Sequence, residues 1–281
     1  VAEVNPTPGQ KSSRIQISDG ALIPEQGEKT ILSAWNISFF GAVALLIILP
    51  AITPDPYLKI IQFIPDGVLH TFEVTLASIC FALVFGLIAG LGRISRNVVI
   101  NRVATIYVEV VRGIPLLVQL FYIYYALGKF IQVPRFLSAV IAMSFCYGAY
   151  LAEIFRAGIQ SIPKGQMEAA LAIGLSRGQA IRMVILPQTI RVILPPIGNE
   201  FIALLKDSSL VSILAVADLL RRGREYASTS FMYFESYTVV ALVYLVLTLF
   251  FSRLVALMEK RLQRRRRETR GDSGAPVRAA S

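Results

Sequence analysis

The polar and ionisable residues that interrupt the apolar runs of this chain could do chemistry, and their spacing limits which. Glu109 and Arg112 are three apart and Gln119 follows seven later, so all three fall on one helical face. Pro115 lies between Arg112 and Gln119 and should bend the helix or open its hydrogen-bond ladder. A polar stripe beside a kink suits the lining of a solute path, or the glue between packed helices. Glu153 and Arg156 repeat the i,i+3 arrangement and read as a structural ion pair near a span's end. A third group, Asn199, Glu200, Lys206, Asp207, Ser208 and Ser209, follows the helix-disturbing pair Pro195 and Pro196. An interrupted span frees backbone groups where side chains can converge. A carboxylate for an amino group and a cation or helix start for a carboxylate would together hold a zwitterion. Structural anchoring is the alternative for the same residues.

Covalent and hydrolytic chemistry find no set of residues. His70 is the only histidine, and no cluster of Asp, Glu and Cys at ligand spacing accompanies it, so no metal site is expected. A Ser–His–Asp triad would have to be built on that one residue. No GxxxxGK[ST] phosphate loop occurs, so ATP hydrolysis is not assigned to this chain. Cys80 and Cys146 lie inside apolar runs and read as small hydrophobes.

The elements that must position these residues are membrane helices. Of 281 residues, 55% are hydrophobic and 16% charged, against about 25% charged in an average soluble domain. Mean hydropathy is +0.61. Separate apolar runs predict one all-α polytopic membrane domain with spans near 31–52, 68–91, 101–127, 136–158, 191–213 and 236–258. Residues 214–235 read as a re-entrant or surface segment. Pro54 and Pro56 stop the first span. Polar sequence over 1–30 precedes it, so the first run is expected to be a retained anchor rather than a cleaved peptide. The small-residue run GLIAG suits helix packing. FYIYY at 121–125 and Trp35 suit interfacial aromatic belts at the outer and inner faces.

Charge placement sets the expected orientation. With both termini inside, the loops 92–102 and 156–191 and the tail segment 259–270 hold fifteen Lys/Arg. The outside segments 53–67, 128–135 and 206–235 hold seven. The net charge of +10 therefore fits membrane orientation, and no nucleic-acid-binding signature accompanies it.

Between the fourth and fifth spans lies GQMEAALAIGLSRGQAIRMVILPQ, too polar for lipid and patterned for helices. Residues 165–173 can form a short helix whose Ala169 and Ala170 allow close approach. Gly174 offers a chain reversal, and a second helical element over 177–184 leads to Leu186 and Pro187. From the residues alone this is a loop shaped for protein contact.

Glu168-Ala169-Ala170, then Gly174, then Leu186-Pro187 resembles the EAA loop of ATP-binding-cassette importer permeases, with Val184 where the family pattern has Ile. RGIPLLVQLFYIYY, YGAYLAEIFRAGIQSIPKGQMEAA and LPQTIRVILPPIGNEFIALLKDSSL resemble the polar amino-acid subgroup, which takes up histidine, glutamate, glutamine or arginine. The resemblance implies a type I importer transmembrane domain with a five-helix core over 66–258. The extra helix 31–52 makes six spans, with a polar cytoplasmic segment 1–30 and a basic cytoplasmic tail 259–281. It implies no catalysis and no cofactor in this chain, with ATP and Mg on two partner ATPase subunits. It also implies a second permease subunit, identical or related, an extracytoplasmic amino-acid-binding protein, and residence in the bacterial inner membrane. Within the loop 159–190, Glu168, Ala169, Ala170, Gly174, Leu186 and Pro187 would couple to the ATPase. Arg112, Gln119, Asn199, Glu200, Lys206, Asp207 and Ser208 would line or gate the pathway, and Glu153 and Arg156 would stay structural. A secondary transporter or a non-transporting scaffold are the competing readings, and neither accounts for the loop pattern.

Overall fold

A computed structural model describes residues 33–271, with side chains as far as Leu262. The expected segment 1–30 and the end of the basic tail lie outside the described residues. Every described element is helical: α1 (Ala34–Ile52), α2 (Pro54–Phe63), α3 (Pro65–Arg93), α4 (Val98–Gly113), α5 (Leu116–Phe121), α6 (Arg135–Gln160), α7 (Lys164–Ala172), α8 (Arg177–Ala180), α9 (Leu186–Asp207), α10 (Leu219–Ser230) and α11 (Tyr233–Gly271). Short π and 3₁₀ turns extend α5 to Lys129, join α8 to α9, and follow α9 over Ser208–Leu214.

Five stretches are long and apolar enough to cross a membrane: Ala34–Ile52, Pro54–Arg93, Arg135–Gln160, Arg177–Leu214 and Tyr233–Leu262. The third expected span is instead a broken pair, α4 and α5, bent by 102°. The reason is local. Pro115 forces the residue before it out of the helical region, and Ile114 accordingly sits at φ −106°, ψ 127°. The fifth span also begins earlier than expected, because α8, the π turn and α9 run on without a break from Arg177. The segment expected at the surface, 214–235, holds α10, which is capped by Asp218.

Polar caps start several of these helices. Ser33 accepts from the Asn36 N–H, and Asn97 Oδ1 accepts from Val99 and Ile100 at 2.9 and 3.3 Å. Inside lipid no hydrophobic force draws helices together, so close packing of small residues must do it. α3 and α6 meet in this way. A Cβ at Gly86 would stand 2.6 Å from Leu151 Cβ, and one at Gly90 would stand 2.9 Å from the Ala152 carbonyl. The GLIAG stripe is thus the seam of the bundle. Around it lies one core, with Val74, Val108, Leu120, Met143, Leu151, Leu204 and Val211. A second core, Tyr57, Ile60, Ile64, Leu219, Val239 and Val240, fastens α2 beneath α10 and α11. Trp35 belongs to α1's attachment rather than to a free interface. Its indole N–H donates to the Leu249 carbonyl at 3.1 Å, and it is stacked on Phe39 and lies under Arg253.

Candidate functional site

Two places carry the polar residues that the apolar sequence singles out, a hairpin at one end of the bundle and a cavity inside it. The hairpin starts after Pro163, where α7 runs for nine residues and stops in a Schellman closure. Leu175 N–H returns to the Ala170 carbonyl at 3.2 Å and Gly174 N–H to that of Leu171 at 3.0 Å. Gly174 takes φ +87°, open to glycine and costly for other residues. A Cβ there would meet nothing within 4 Å, so conformation, not crowding, asks for glycine. Ser176 and Gln179 then form a reciprocal capping box that starts α8.

The hairpin is held by few side chains and shows the rest. Ala170 and Ala180 are buried and let the two arms touch, while Gln188 donates to Gln166 Oε1 at 3.1 Å across them. Glu168, Ala169 and Gly174 are exposed, as are Leu171, Ile173, Ile181 and Met183; Ile173 is 78% exposed. Leu186 and Pro187 open α9 directly after the π turn, where Ile185 is already helical and the Leu186 N–H reaches the Ile181 carbonyl. Of the expected loop residues, Glu168, Ala169, Gly174, Leu186 and Pro187 are exposed. Ala170 closes the hairpin, and Leu186 and Pro187 set the entry to α9. The cross-strut of Gln166 and Gln188 was not visible in sequence, because nothing in a lone glutamine names a partner 22 residues away.

The cavity, about 440 Å³, opens at the break between α4 and α5. Arg112 to Leu116 form one wall, Cys146, Tyr147 and Tyr150 of α6 a second, and Glu200, Ala203 and Asp207 of α9 a third. Among the described lining residues Arg112 is the cation and Glu200 and Asp207 are the carboxylates. Arg112 lies with its guanidinium carbon 5.1 Å from the centre of the Tyr150 ring. Tyr147 donates its hydroxyl to Asp207 Oδ2 at 2.8 Å, leaving the other carboxylate oxygen for a guest. The arrangement offers a cation for a carboxylate and two carboxylates for an ammonium group, inside a space of small-molecule size.

The structure brings together three of the seven expected pathway residues: Arg112, Glu200 and Asp207. Gln119 is 8% exposed and faces the break instead, its amide donating to the Val111 and Ile114 carbonyls at 2.9 Å each. It satisfies the Ile114 carbonyl at the break and adds a second donor to the Val111 carbonyl, which the Ile114 N–H also reaches at 3.4 Å. Ser208 is buried and donates to the Leu205 carbonyl at 2.8 Å; Asn199 and Lys206 are exposed, and none of the three lines the cavity. Tyr147 and Tyr150 escaped the sequence reading as aromatics in an apolar run, although with Glu153 they form an i,i+3 series on one face of α6.

Glu153 and Arg156 do pair, Arg156 Nη2 lying 2.7 Å from Glu153 Oε2. The pair is part of a larger cluster. Arg93 contacts Glu153 Oε1 directly, and Arg112 Nη1 lies 4.0 Å from the same oxygen. His70 is engaged by Glu73 at 2.7 Å, and the described residues hold no group of three or more metal-ligating side chains.

Residues 82–264 match the family model described as "Binding-protein-dependent transport system inner membrane component". The chain is 41% identical over 198 residues to the probable amino-acid permease protein YxeN of Bacillus subtilis (strain 168), covering 69% of this chain and 88% of that protein. It is 39% identical over 206 residues to the glutamine transport system permease protein GlnP of Escherichia coli (strain K12), covering 72% and 94%. Among solved structures, it superposes with a TM-score of 0.69 on a crystal structure of an amino acid ABC transporter with histidines. That match has 42% identity over 73% of this chain and 96% of the other.

Proposed function

The chain belongs to the family of binding-protein-dependent transport system inner membrane components, and from that membership we propose how cavity and hairpin divide the work of import. The protein is an all-α, multi-pass inner-membrane permease subunit of an ATP-driven amino-acid importer. It is not catalytic, and ATPase activity resides on separate subunits.

In our reading a polar amino acid occupies the cavity. Its carboxylate meets Arg112, and its ammonium group meets Glu200 and the free oxygen of Asp207. The observation that carries this is the pairing of one cation with two carboxylates at a helix break within about 440 Å³. Both charged ends of the guest find fixed partners, which offsets the loss of water. Glu168, Ala169 and Gly174, with the exposed apolar rim of Leu171 and Ile173, would seat in a groove of an ATPase subunit; Ala170, Leu186 and Pro187 would hold the hairpin's shape. Closure of two such subunits on ATP and Mg would push the hairpin and tilt the bundle between two states, whose populations the loaded binding protein also biases. A second permease, identical or related, would complete the pathway. The core 66–258 would carry this machinery, the helix 31–52 would add to it, and both termini would face the cytoplasm.

The test is purification with native partners, followed by an ATPase screen with the binding protein and L-glutamine, L-glutamate, L-histidine or L-arginine. Stimulation by at least one supports the reading. Co-purified partners that respond to none of the four, in liposomes that also accumulate none, would overturn it.

A further inference from the structure

The two oxygens of Glu153 have different company. Oε2 is taken within its own helix, where Arg156 Nε and Nη2 donate at 3.0 and 2.7 Å while Nη1 reaches Gln160 at 2.9 Å. Oε1 faces other helices: Arg93, the last residue of α3, contacts it, and Arg112, near the end of α4, stands 4.0 Å away. A pair that only fixed the end of α6 would need Arg156 alone. The second oxygen instead joins three helices at one carboxylate, beside the cation of the cavity wall.

Arg112 therefore lies between two sets of acceptors. On one side is the cavity with Glu200 and Asp207; on the other is Glu153, while the Tyr150 ring supports its guanidinium face. Glu153 also has a particular place in the chain. It stands in the last turns of α6, and four residues after Gln160 the hairpin begins with α7. A displacement of the hairpin reaches α6 through its first arm, across the three residues that separate Gln160 from α7, as it reaches α9 through its second.

We propose that Glu153 is a positioning residue that holds the Arg112 guanidinium in the cavity wall and carries it with the hairpin, linking the grip on a substrate carboxylate to the coupling stroke. The inference rests on the transport reading above. When the hairpin moves α6, the Glu153–Arg112 distance changes, and Arg112 is offered to or withdrawn from the guest. Coupling of this kind must be reciprocal: substrate on Arg112 biases the hairpin as the hairpin biases substrate affinity. Arg93 ties Glu153 to α3 throughout.

The test uses the assembled complex in liposomes, with ATPase activity read against binding protein loaded with each of the four amino acids named above. Glu153→Gln keeps the side-chain shape and removes the charge. It is expected to raise the half-saturating concentration about tenfold or more, the size of one lost charge-assisted interaction. Arg156→Gln, which loosens only the intrahelical pair, is expected to lower thermal stability while half-saturation stays within about twofold of wild type. Glu153→Asp should fall between wild type and Glu153→Gln. Equal half-saturation for Glu153→Gln and wild type, or equal shifts for Glu153→Gln and Arg156→Gln, would sink the proposal. Where Glu153→Gln does not assemble, Glu153→Asp carries the test, and a wild-type half-saturation there overturns it. A wild-type complex that responds to none of the four amino acids defeats the transport reading itself, a different failure.

Discussion

The hairpin and the cavity are built in opposite ways. The hairpin is local: one αL glycine, one Schellman closure and one capping box shape it from residues that follow one another in sequence. The cavity is assembled from α4, the α4–α5 break, α6 and α9, and its three charged residues span positions 112 to 207. A hairpin at the end of the bundle would meet its partner by shape and exposed contacts, so small residues and a fixed turn suffice. A cavity at membrane depth must present charge, and each charge there needs a partner from another helix. The two regions should therefore fail differently, in coupling at one and in affinity at the other.

The hairpin gives the largest expected effect. Gly174→Trp should leave the chain in the membrane and abolish substrate-stimulated ATPase activity of the assembled complex, a loss of about a hundredfold or more. A Cβ at Gly174 has open space, so the free hairpin has room for bulk, whereas the proposed partner groove would not. Gly174→Ala separates the two causes. It adds only the left-handed backbone cost of about 1–2 kcal/mol and should keep most of the stimulation. Equal loss in both variants would mean that folding of the hairpin, not contact, had been damaged. Next comes the cavity. Asp207→Asn removes charge but keeps the Tyr147 hydroxyl engaged, and should raise half-saturation by about ten- to thirtyfold. Hydrolysis and uptake measured on the same liposomes check it. Loss of coupling without loss of affinity would erase the distinction between the regions.

Sequence made the two regions legible to different depths. The short helix, glycine reversal and second arm of the hairpin could be read from the residues because that geometry is fixed within one stretch. The resemblance to the EAA loop singled out Glu168, Ala169, Ala170, Gly174, Leu186 and Pro187. The π turn Ile181–Ile185, which fuses the second arm to α9, leaves no such mark, so the fifth span was expected to begin at 191. In the cavity, charged residues within apolar runs pointed to Arg112, Glu200 and Asp207. Pattern could not say what each polar atom bonds to. Gln119, on the same stripe as Arg112, spends its amide on two backbone carbonyls. Pro115 announced a bend, but its 102° depends on Ile114 leaving the helical region altogether. Gln119→Leu tests this difference between lining and capping. It should cost about 1–3 kcal/mol of stability, chiefly by orphaning the Ile114 carbonyl, seen as a lower melting temperature in detergent, with half-saturation little changed in complexes that assemble.

The smallest expected effect belongs to neither region and so serves as their control. Asp218 is fully buried beneath α10, where it accepts from the N–H groups of Leu220 and Arg221 at 3.1 Å each and lies 3.4 Å from the Tyr244 hydroxyl. Burial pushes its carboxyl up to about 6 against those hydrogen bonds, which favour the charged form. A carboxyl raised on folding binds its proton more tightly in the folded chain. The stability it confers is thus complete below its unfolded value of ~3.9 and is lost as pH rises through about 6. The loss should be no more than about 3 kcal/mol. Melting temperature in detergent should fall between pH 4 and 6.5 and then level off for this group. Asp218→Asn keeps an acceptor for the cap without a charge to desolvate. It should flatten that step and raise the melting temperature at pH 7.5, while Gly174-dependent stimulation and Asp207-dependent half-saturation hold their values. A change in either readout would mean that the cap of α10 takes part in transport, and that the outer core is a third working region rather than a support for the other two.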